Sequence, residues 1–304
     1  MLTELQKKEL RRKLAGFLIE GQPLASKTAF KVGGAAAFYL EPESHEDLAL
    51  TLQTLADLDL QFIVLGGGRN SLVVDAGIED RAVINLAKNF KEVNLIGSDN
   101  WSVMLRAECG VPLSQLIKIS AVDGYSGLEK LAGIPGTVGG AVAMNAGAYG
   151  VTIFDYLAAL LIMEEGELTW HSAAQLKPAY RDGGLEPVQI VVAAYFLLEK
   201  KEPEEIQKSI DKVNISRKQR LPQGAHAGSV FKNPTDDYAG RLLDKSGCKG
   251  MRCGGASVSE LNANVVVADP GSRASDVITL IDDMHLKVSQ HYGINLETEI
   301  KIFS

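Results

Sequence analysis

Glycine says most about chemistry in this chain: it supplies 30 of the 304 residues, gathered in a few clusters. The first cluster, LGGGRNS, runs from Leu65 to Ser71, at the end of the apolar run QFIVL. Glycine is needed where backbone comes close to a ligand or takes a positive φ. Successive N–H groups in such a loop can wrap an anion such as a pyrophosphate. A dinucleotide fingerprint of the form Gly-x-Gly-x-x-Gly opens a helix. Gly66 and Gly68 fit it, but Ser71 stands at the third position and a strand is expected next. No Gly-Lys-Ser/Thr occurs, which excludes a P-loop. Read alone, this cluster is a tight turn between two strands.

The second cluster, AGIPGTVGGAVAMNAGAYG, spans Ala132 to Gly150 and holds Gly133, Gly136, Gly139, Gly140, Gly147 and Gly150. So many glycines cost backbone entropy on folding, which a purely structural loop has no reason to bear. A loop laid against a large flat ligand and its phosphates does. The third element, GSVFKNP from Gly228 to Pro234, crowds Ser229, Lys232 and Asn233 around a phenylalanine, and Pro234 restricts Asn233 to extended geometry. It reads equally as a strand ending in a turn or as a pocket wall carrying a hydroxyl and a cation.

Elements must position these loops. Residues 45–58 read as a helix, 61–65 as a buried strand, 71–74 and 82–86 as further strands, and 112–123 as a helix opened by Pro112. Residues 189–200 read as a strong strand. After it, Pro203 can open a helix over about 203–219, and the composition shift between them marks a domain boundary. NVVVAD at 264–269 is a strand. Residues 272–291 are helical, with Val277, Ile278, Ile281, Met284, Leu286 and Val288 as its apolar set. The terminal LETEIKIF alternates like a strand. Near the start, Leu2, Leu5, Leu10, Leu14 and Phe17 recur at helical intervals.

A length of 304 residues suits about two domains. Apolar and charged fractions of 46% and 23% are those of an ordinary globular protein. A formal net charge of -7 argues against nucleic acid as a partner, because phosphate-backbone binding needs clustered Lys and Arg. The N-terminus is charged throughout, unlike a secretory signal, and no apolar stretch is long enough to span a bilayer. Cys109, Cys248 and Cys253 are too few and unevenly spaced for a disulfide framework, which fits a reducing cytoplasm. Neither the cysteines nor His285 and His291 have metal-ligand spacing, so no metal is expected.

In this order the three loops resemble the UDP-N-acetylenolpyruvoylglucosamine reductase family, and the resemblance covers essentially the whole chain. It begins at KTAFKVGG (residues 27–34). It continues through LGGGRNSLV, GLEKLAGIPGTVGGAVAMNAGAYG, Tyr180-Arg181, AGSVFKNP and KGMRCGGASVSE, and closes at LETE, ending on Glu299. The short span between Arg181 and Ser229 is similar to the branch without an extra substrate-capping loop. The resemblance implies an α+β fold: a two-lobed FAD-binding domain of the vanillyl-alcohol-oxidase (PCMH) type plus a smaller α/β substrate-binding domain. The first would cover residues 1–200, with lobes of about 20–88 and 89–200. The second would cover 201–304, with the strand at about 296–303 returning to the FAD domain.

The implied activity is NADPH-dependent reduction of UDP-N-acetylglucosamine enolpyruvate to UDP-N-acetylmuramate through FAD, in the cytoplasm. Membrane and nucleic acid are not expected as partners. FAD should be non-covalent, because no histidine lies between positions 46 and 170 to attach it. The implied FAD contacts are Thr28, Phe30, Val32, Gly33, Leu65, Gly66, Gly67, Gly68, Arg69, Asn70, Ser71, Gly110, Gly133, Ile134, Pro135, Gly136, Thr137, Gly139, Gly140 and Ala141. By the same resemblance Arg181 and Glu299 would sit by the substrate carboxylate, and Ser229 would protonate the carbon next to the one that receives hydride. Tyr125, Tyr180, Arg217, Lys232 and Asn233 would contact substrate.

Three positions depart from the family pattern: Gly183 replaces a usual serine, Asn262 a usual histidine, and His226 lies where proline is frequent. Two other readings are a flavin oxidase of the same fold acting on an alcohol or sugar, and a catalytically silent flavin or sugar-nucleotide binding protein. The linking histidine of the oxidases is absent, and Arg181, Ser229 and Glu299 are all present. Both facts weigh against those readings.

Overall fold

A computed structural model of the chain describes residues 2–304. Two compact units emerge. The first takes the N-terminal segment to Glu20, Phe38–Gly67 and Asp80–Ser216; the second takes Gly21–Ala37, Gly68–Glu79 and Arg217–Ser304. Along the chain these units change over at Ser216, after most of the helix Pro203–Arg220. Segments 21–37 and 68–79, assigned from the sequence to the first domain, pack with 217–304.

The first unit holds an antiparallel sheet with strands ordered Glu167–Ser172, Leu157–Glu164, Ile190–Lys200, Ser102–Glu108 and Val93–Ser98; the short strand Tyr125–Ser126 also pairs with Ile190–Lys200. The run IVVAAYFL lies at the middle of this sheet; consecutive residues Ile190–Ala194 are all buried, so its apolar residues there do not alternate with polar ones, while Leu197 is exposed. Helices Leu113–Val122 and Val138–Ala143 lie in this unit, the second packed against strand Ile190–Lys200. Pro112 stands just outside the first of these helices, at its N-cap. Phe62–Val64 pairs in parallel with residues 82–84. At the N-terminus, Glu4–Leu14 forms a helix opened by a Thr3–Gln6 capping box. Leu10 and Leu14 are buried, whereas Leu5 is exposed, against the periodic reading.

The second unit is built around the helix Ala274–Tyr292, whose buried residues Val277, Leu280, Ile281, Met284 and Val288 form one stripe at three- and four-residue spacing. Leu286, expected in that stripe, is exposed, and Leu280 takes its place. The stripe packs with Phe30, Val32, Leu72, Val230, Phe231, Leu242, Leu296 and Ile300. A three-stranded antiparallel sheet, Arg252–Cys253, Ala256–Val258 and Val266–Ala268, joins them. At the C-terminus only Lys301–Phe303 is strand, in parallel register with Ser71–Val73. Residues 296–300 do not extend that strand, because their backbone turns to another partner. Glu299 N–H donates to Val230 C=O and Lys232 N–H donates to Glu297 C=O. Among the described residues no helix is long and apolar enough to cross a membrane, and no group of three metal-ligating side chains gathers.

Candidate active site

In the first unit the two glycine clusters meet. A Cβ on Gly67 would stand 3.1 Å from the Gly136 Cα, and one on Gly66 would stand 2.9 Å from the Thr137 hydroxyl. Side chains at either position would fill the space between the loops. Buried Asn85 holds the first loop from behind, its Nδ2 donating to the carbonyls of Leu65 and Gly66. The sequence reading missed Asn85; its signal was a lone amide ending an apolar strand.

Hydrogen-bond accounting then separates donors from scaffold. Ile134 N–H goes to Leu131 C=O, Val138 to Val111, Gly139 to Cys109 and Ala141 to Thr137, while Gly140 N–H reaches the Thr137 hydroxyl at 3.4 Å. Pro135 has no N–H at all. Of the expected FAD contacts in this loop, Ile134, Pro135, Gly139, Gly140 and Ala141 therefore offer no uncommitted backbone donor. Gly66, Gly67, Gly136 and Thr137 differ: no protein acceptor among the described residues takes their N–H groups. Such uncommitted donors on two facing loops suit an anion of pyrophosphate size. Gly110 has another reason to be glycine, since a Cβ there would run into the carbonyls of Leu86 and Phe90. Gly133 and Gly136 both take positive φ, 75° and 113°.

Beside the loops lies a pocket of about 110 Å³ lined by Val64, Gly66, Thr137, Gly139, Gly140 and Cys109, among others. Burial, helped by the Glu108 carboxylate, pushes the Cys109 thiol far up, so it stays protonated and acts as a small apolar wall. A larger cavity of about 650 Å³ opens elsewhere in this unit, against Glu129, Tyr156, Glu199 and Glu205, and contains none of the expected site residues. The larger cavity is thus not the one beside the glycine loops.

Arg181 belongs to the same unit and is set with care. It follows Tyr180 in a tight turn closed by reciprocal hydrogen bonds between Ala179 and Asp182, and its own φ is 61°. Three links tie that turn to the end of the glycine-rich segment. Asn145 Nδ2 donates to Ala179 C=O, Gly183 N–H donates to Ala143 C=O, and Arg181 Nη1 donates to Gly147 C=O at 3.1 Å. Gly147 opens a two-residue hairpin through Tyr149 and Gly150, both at positive φ. A Cβ on Gly183 would strike the Val142 carbonyl, so the small residue at this departure from the family pattern permits the close approach. Tyr180 is exposed, with the Arg181 guanidinium 5.1 Å from its ring centre. Tyr125 is half-buried at the end of the sheet, opposite Lys200.

In the second unit the segments that carry Ser229 and Glu299 run side by side, the Glu299 N–H donating to Val230 C=O at 2.7 Å. Both side chains are half-buried. Buried Asn264 fixes the strand-like run after Ser229: its Oδ1 accepts Phe231 N–H, its Nδ2 donates to Phe231 C=O, and its carbonyl accepts Val230 N–H. Asn264 was also missed, although an amide entering the NVVVAD run was visible. Lys232 forms an ion pair with Glu297 at 2.6 Å. Asn233 Oδ1 accepts Ala239 N–H at the start of the helix Ala239–Lys245. Arg217 is half-buried near the end of the helix Pro203–Arg220.

The remaining expected FAD contacts also lie in the second unit. Gly68 at φ 61° presses on the Lys27 carbonyl, and its own carbonyl accepts Ala29 N–H. Asn70 is committed to the C-terminus: Nδ2 donates to Glu299 C=O and its carbonyl accepts Lys301 N–H. Ser71 begins a buried strand, and Arg69 is exposed. Phe30 and Val32 are core residues, so they can offer a ligand backbone but not side chain. Thr28 is buried with its hydroxyl on Val32 C=O, and Gly33 at φ 110° packs on Val73.

Two family profiles match the chain. Residues 36–171 match the family profile of an FAD binding domain, and residues 219–303 match that of the UDP-N-acetylenolpyruvoylglucosamine reductase C-terminal domain. The chain is 39% identical over 297 residues to a UDP-N-acetylenolpyruvoylglucosamine reductase of Geobacter metallireducens, covering 96% of each. The crystal structure of a UDP-N-acetylenolpyruvylglucosamine reductase from Thermus caldophilus superposes with TM-score 0.82 at 34% identity, covering 95% of this chain and 100% of that one. A VAO-type flavoprotein from Myceliophthora thermophila shares the fold at TM-score 0.50 and 13% identity, over 66% of this chain and 48% of its own.

Proposed function

We propose, for a chain that belongs to the UDP-N-acetylenolpyruvoylglucosamine reductase family, the reduction of UDP-N-acetylglucosamine enolpyruvate to UDP-N-acetylmuramate, with NADPH as donor and FAD as the bound cofactor. One observation of this chain carries the reading: two glycine loops face each other with uncommitted N–H groups at Gly66, Gly67, Gly136 and Thr137. These residues would hold the FAD pyrophosphate. FAD, when bound, would supply the two-electron chemistry by which NADPH reduces the terminal carbon of the enolpyruvyl group.

The chain's own residues manage charge and proton. Arg181 offers a planar guanidinium, already oriented by the Gly147 carbonyl, to the substrate carboxylate on which negative charge grows. Glu299 acts there as a protonated carboxyl or as a group that orients a donor, since a bare carboxylate would repel that charge. Ser229 gives its hydroxyl proton to the carbon next to the carboxylate. A serine hydroxyl is a very weak acid, and it serves here because a carboxylate-stabilised carbanion is a strong base. The Lys232 ammonium, held by Glu297, eases the charge left on the serine oxygen. Tyr125, Tyr180, Arg217 and Asn233 bind the sugar nucleotide, and the setting is the cytoplasm. In this reading 201–304 is the substrate domain and the residues before it hold FAD.

Anaerobic mixing tests the whole scheme. The purified protein is yellow, bleaches with NADPH, and recovers its colour when UDP-N-acetylglucosamine enolpyruvate is added. A colourless protein that takes up no FAD overturns the cofactor site, and bleached flavin that the enolpyruvyl substrate fails to reoxidise overturns the reaction.

A further inference from the structure

Ser229 is held from both sides, and the two clamps differ in kind. Downstream, Val230 and Phe231 are fixed to Asn264, and Val230 C=O also accepts from Glu299. None of those bonds depends on a titrating group. Upstream, the chain reverses at Gly228, whose φ is 79° and where a Cβ would meet nothing within 4 Å. Ala227, just before it, packs on the core of the second unit. Within the turn an imidazole accepts a hydrogen bond: Gly228 N–H donates to His226 Nδ1 at 3.1 Å, while Ala268 N–H anchors Ala225 C=O just before it.

A backbone N–H can only donate, so His226 Nδ1 must carry a lone pair and the ring proton must sit on Nε2. One neutral ring thus staples residues 226 to 228 into a turn. The geometry points to His226 as a positioning residue for Ser229: its neutral imidazole locks the Gly228 turn, so the serine hydroxyl reaches its substrate only while Nδ1 is unprotonated. This inference rests on the proton-donor role given to Ser229.

The environment keeps the ring neutral. Burial lowers its pKa, the nearby positive charge of Arg217 lowers it further, and only a contact with the Pro222 backbone opposes them. The sign follows. The folded pKa lies below the ordinary histidine value, so the staple is intact above it. As pH falls through that folded pKa, a proton enters Nδ1, faces the Gly228 N–H as a second donor, and opens the turn.

Three variants test this, with FAD content and the two half-reactions followed separately from mildly acidic to neutral pH. His226→Phe fills the ring's volume without an acceptor. It is expected to keep FAD and NADPH bleaching while slowing reoxidation by UDP-N-acetylglucosamine enolpyruvate about tenfold to a hundredfold, the scale of a small misplacement of a reacting group. His226→Asn offers a non-titrating oxygen that makes the same bond two residues on, as in an Asx-turn. It is expected to restore the neutral-pH reoxidation rate and to remove the acid limb that wild type shows. If His226→Phe reoxidises like wild type, or if His226→Asn keeps the acid limb, the staple is refuted. Should His226→Phe not fold, the His226→Asn profile decides alone. Ser229→Ala separates the two claims: if it leaves reoxidation unchanged, the serine role itself fails, whatever His226 does.

Discussion

In the proposed reaction Ser229 is an unusual choice of acid, and its surroundings in the second unit allow it to be tested alone. Its neighbours are pinned by backbone and by Asn264, so removing one hydroxyl leaves the scaffold in place. Ser229→Ala should leave bleaching by NADPH nearly unchanged and slow reoxidation by about 10²–10⁴-fold, the usual worth of a positioned proton donor. Stopped-flow absorbance of the flavin reads both steps; equal loss in both would contradict the assignment. Arg181 is different in kind. Its left-handed backbone and its bond to Gly147 tie its placement to the turn that carries it. The residues that present the proposed groups are amides and a glycine: Asn85 for the glycine loop, Asn145 and the Gly183 backbone for Arg181, Asn264 for the serine segment.

Elements show the same division between what binds and what supports. Asn264→Ala would leave the Phe231 N–H and C=O without partners in a buried site. The expected loss is about 2–4 kcal/mol, from the cost of unsatisfied buried groups. A lower urea midpoint with unchanged slope would register it, and a midpoint equal to wild type would show that the strand finds other partners. Within the glycine loops, accounting for N–H groups separates two substitutions. Gly67→Val pushes side chain into the space facing Gly136 and should abolish FAD retention. Gly140→Ala meets only the Thr137 hydroxyl at an ordinary 3.5 Å, sits in a helix, and should keep FAD. Equal FAD content after gel filtration in both variants would remove the cradle from Gly67. Gly139 is a poor probe, because a Cβ there would stand 2.7 Å from the Cys109 Cβ and disturb packing whether or not FAD binds.

At the scale of the molecule, acid should weaken the second unit through carboxylates that accept backbone N–H groups. Asp276 is held below the usual carboxylate range by the N–H groups of Arg273 and Gly255, at the start of the long helix Ala274–Tyr292. A carboxylate with a depressed folded pKa contributes stability above its unfolded value and loses it as pH falls through the folded one. Asp276→Asn should therefore lower the melting temperature at neutral pH, and its gap from wild type should close as the acid limit is approached. Thermal unfolding at a series of pH values checks this. A gap that stays constant with pH would mean that the carboxylate's charge contributes nothing.

Much of this chain was legible before any fold was known. Helix 45–58, strand 189–200 and the helix after Pro203 appear within a residue or two of their expected ends, because each depends on periodicity and punctuation within a single segment. The three motif loops and their order already implied the family, since glycines and a serine–lysine–asparagine run are local chemistry. Local pattern does not encode which segments share a unit, and here 21–37 and 68–79 join 217–304 across more than a hundred intervening residues. The terminal run looked like one strand and is divided between two partners, because alternation cannot say which backbone lies alongside. Nor could sequence tell which glycine-loop N–H groups are uncommitted or that His226 bonds Gly228, for a hydrogen-bond partner is set by where the folded chain brings each donor and acceptor.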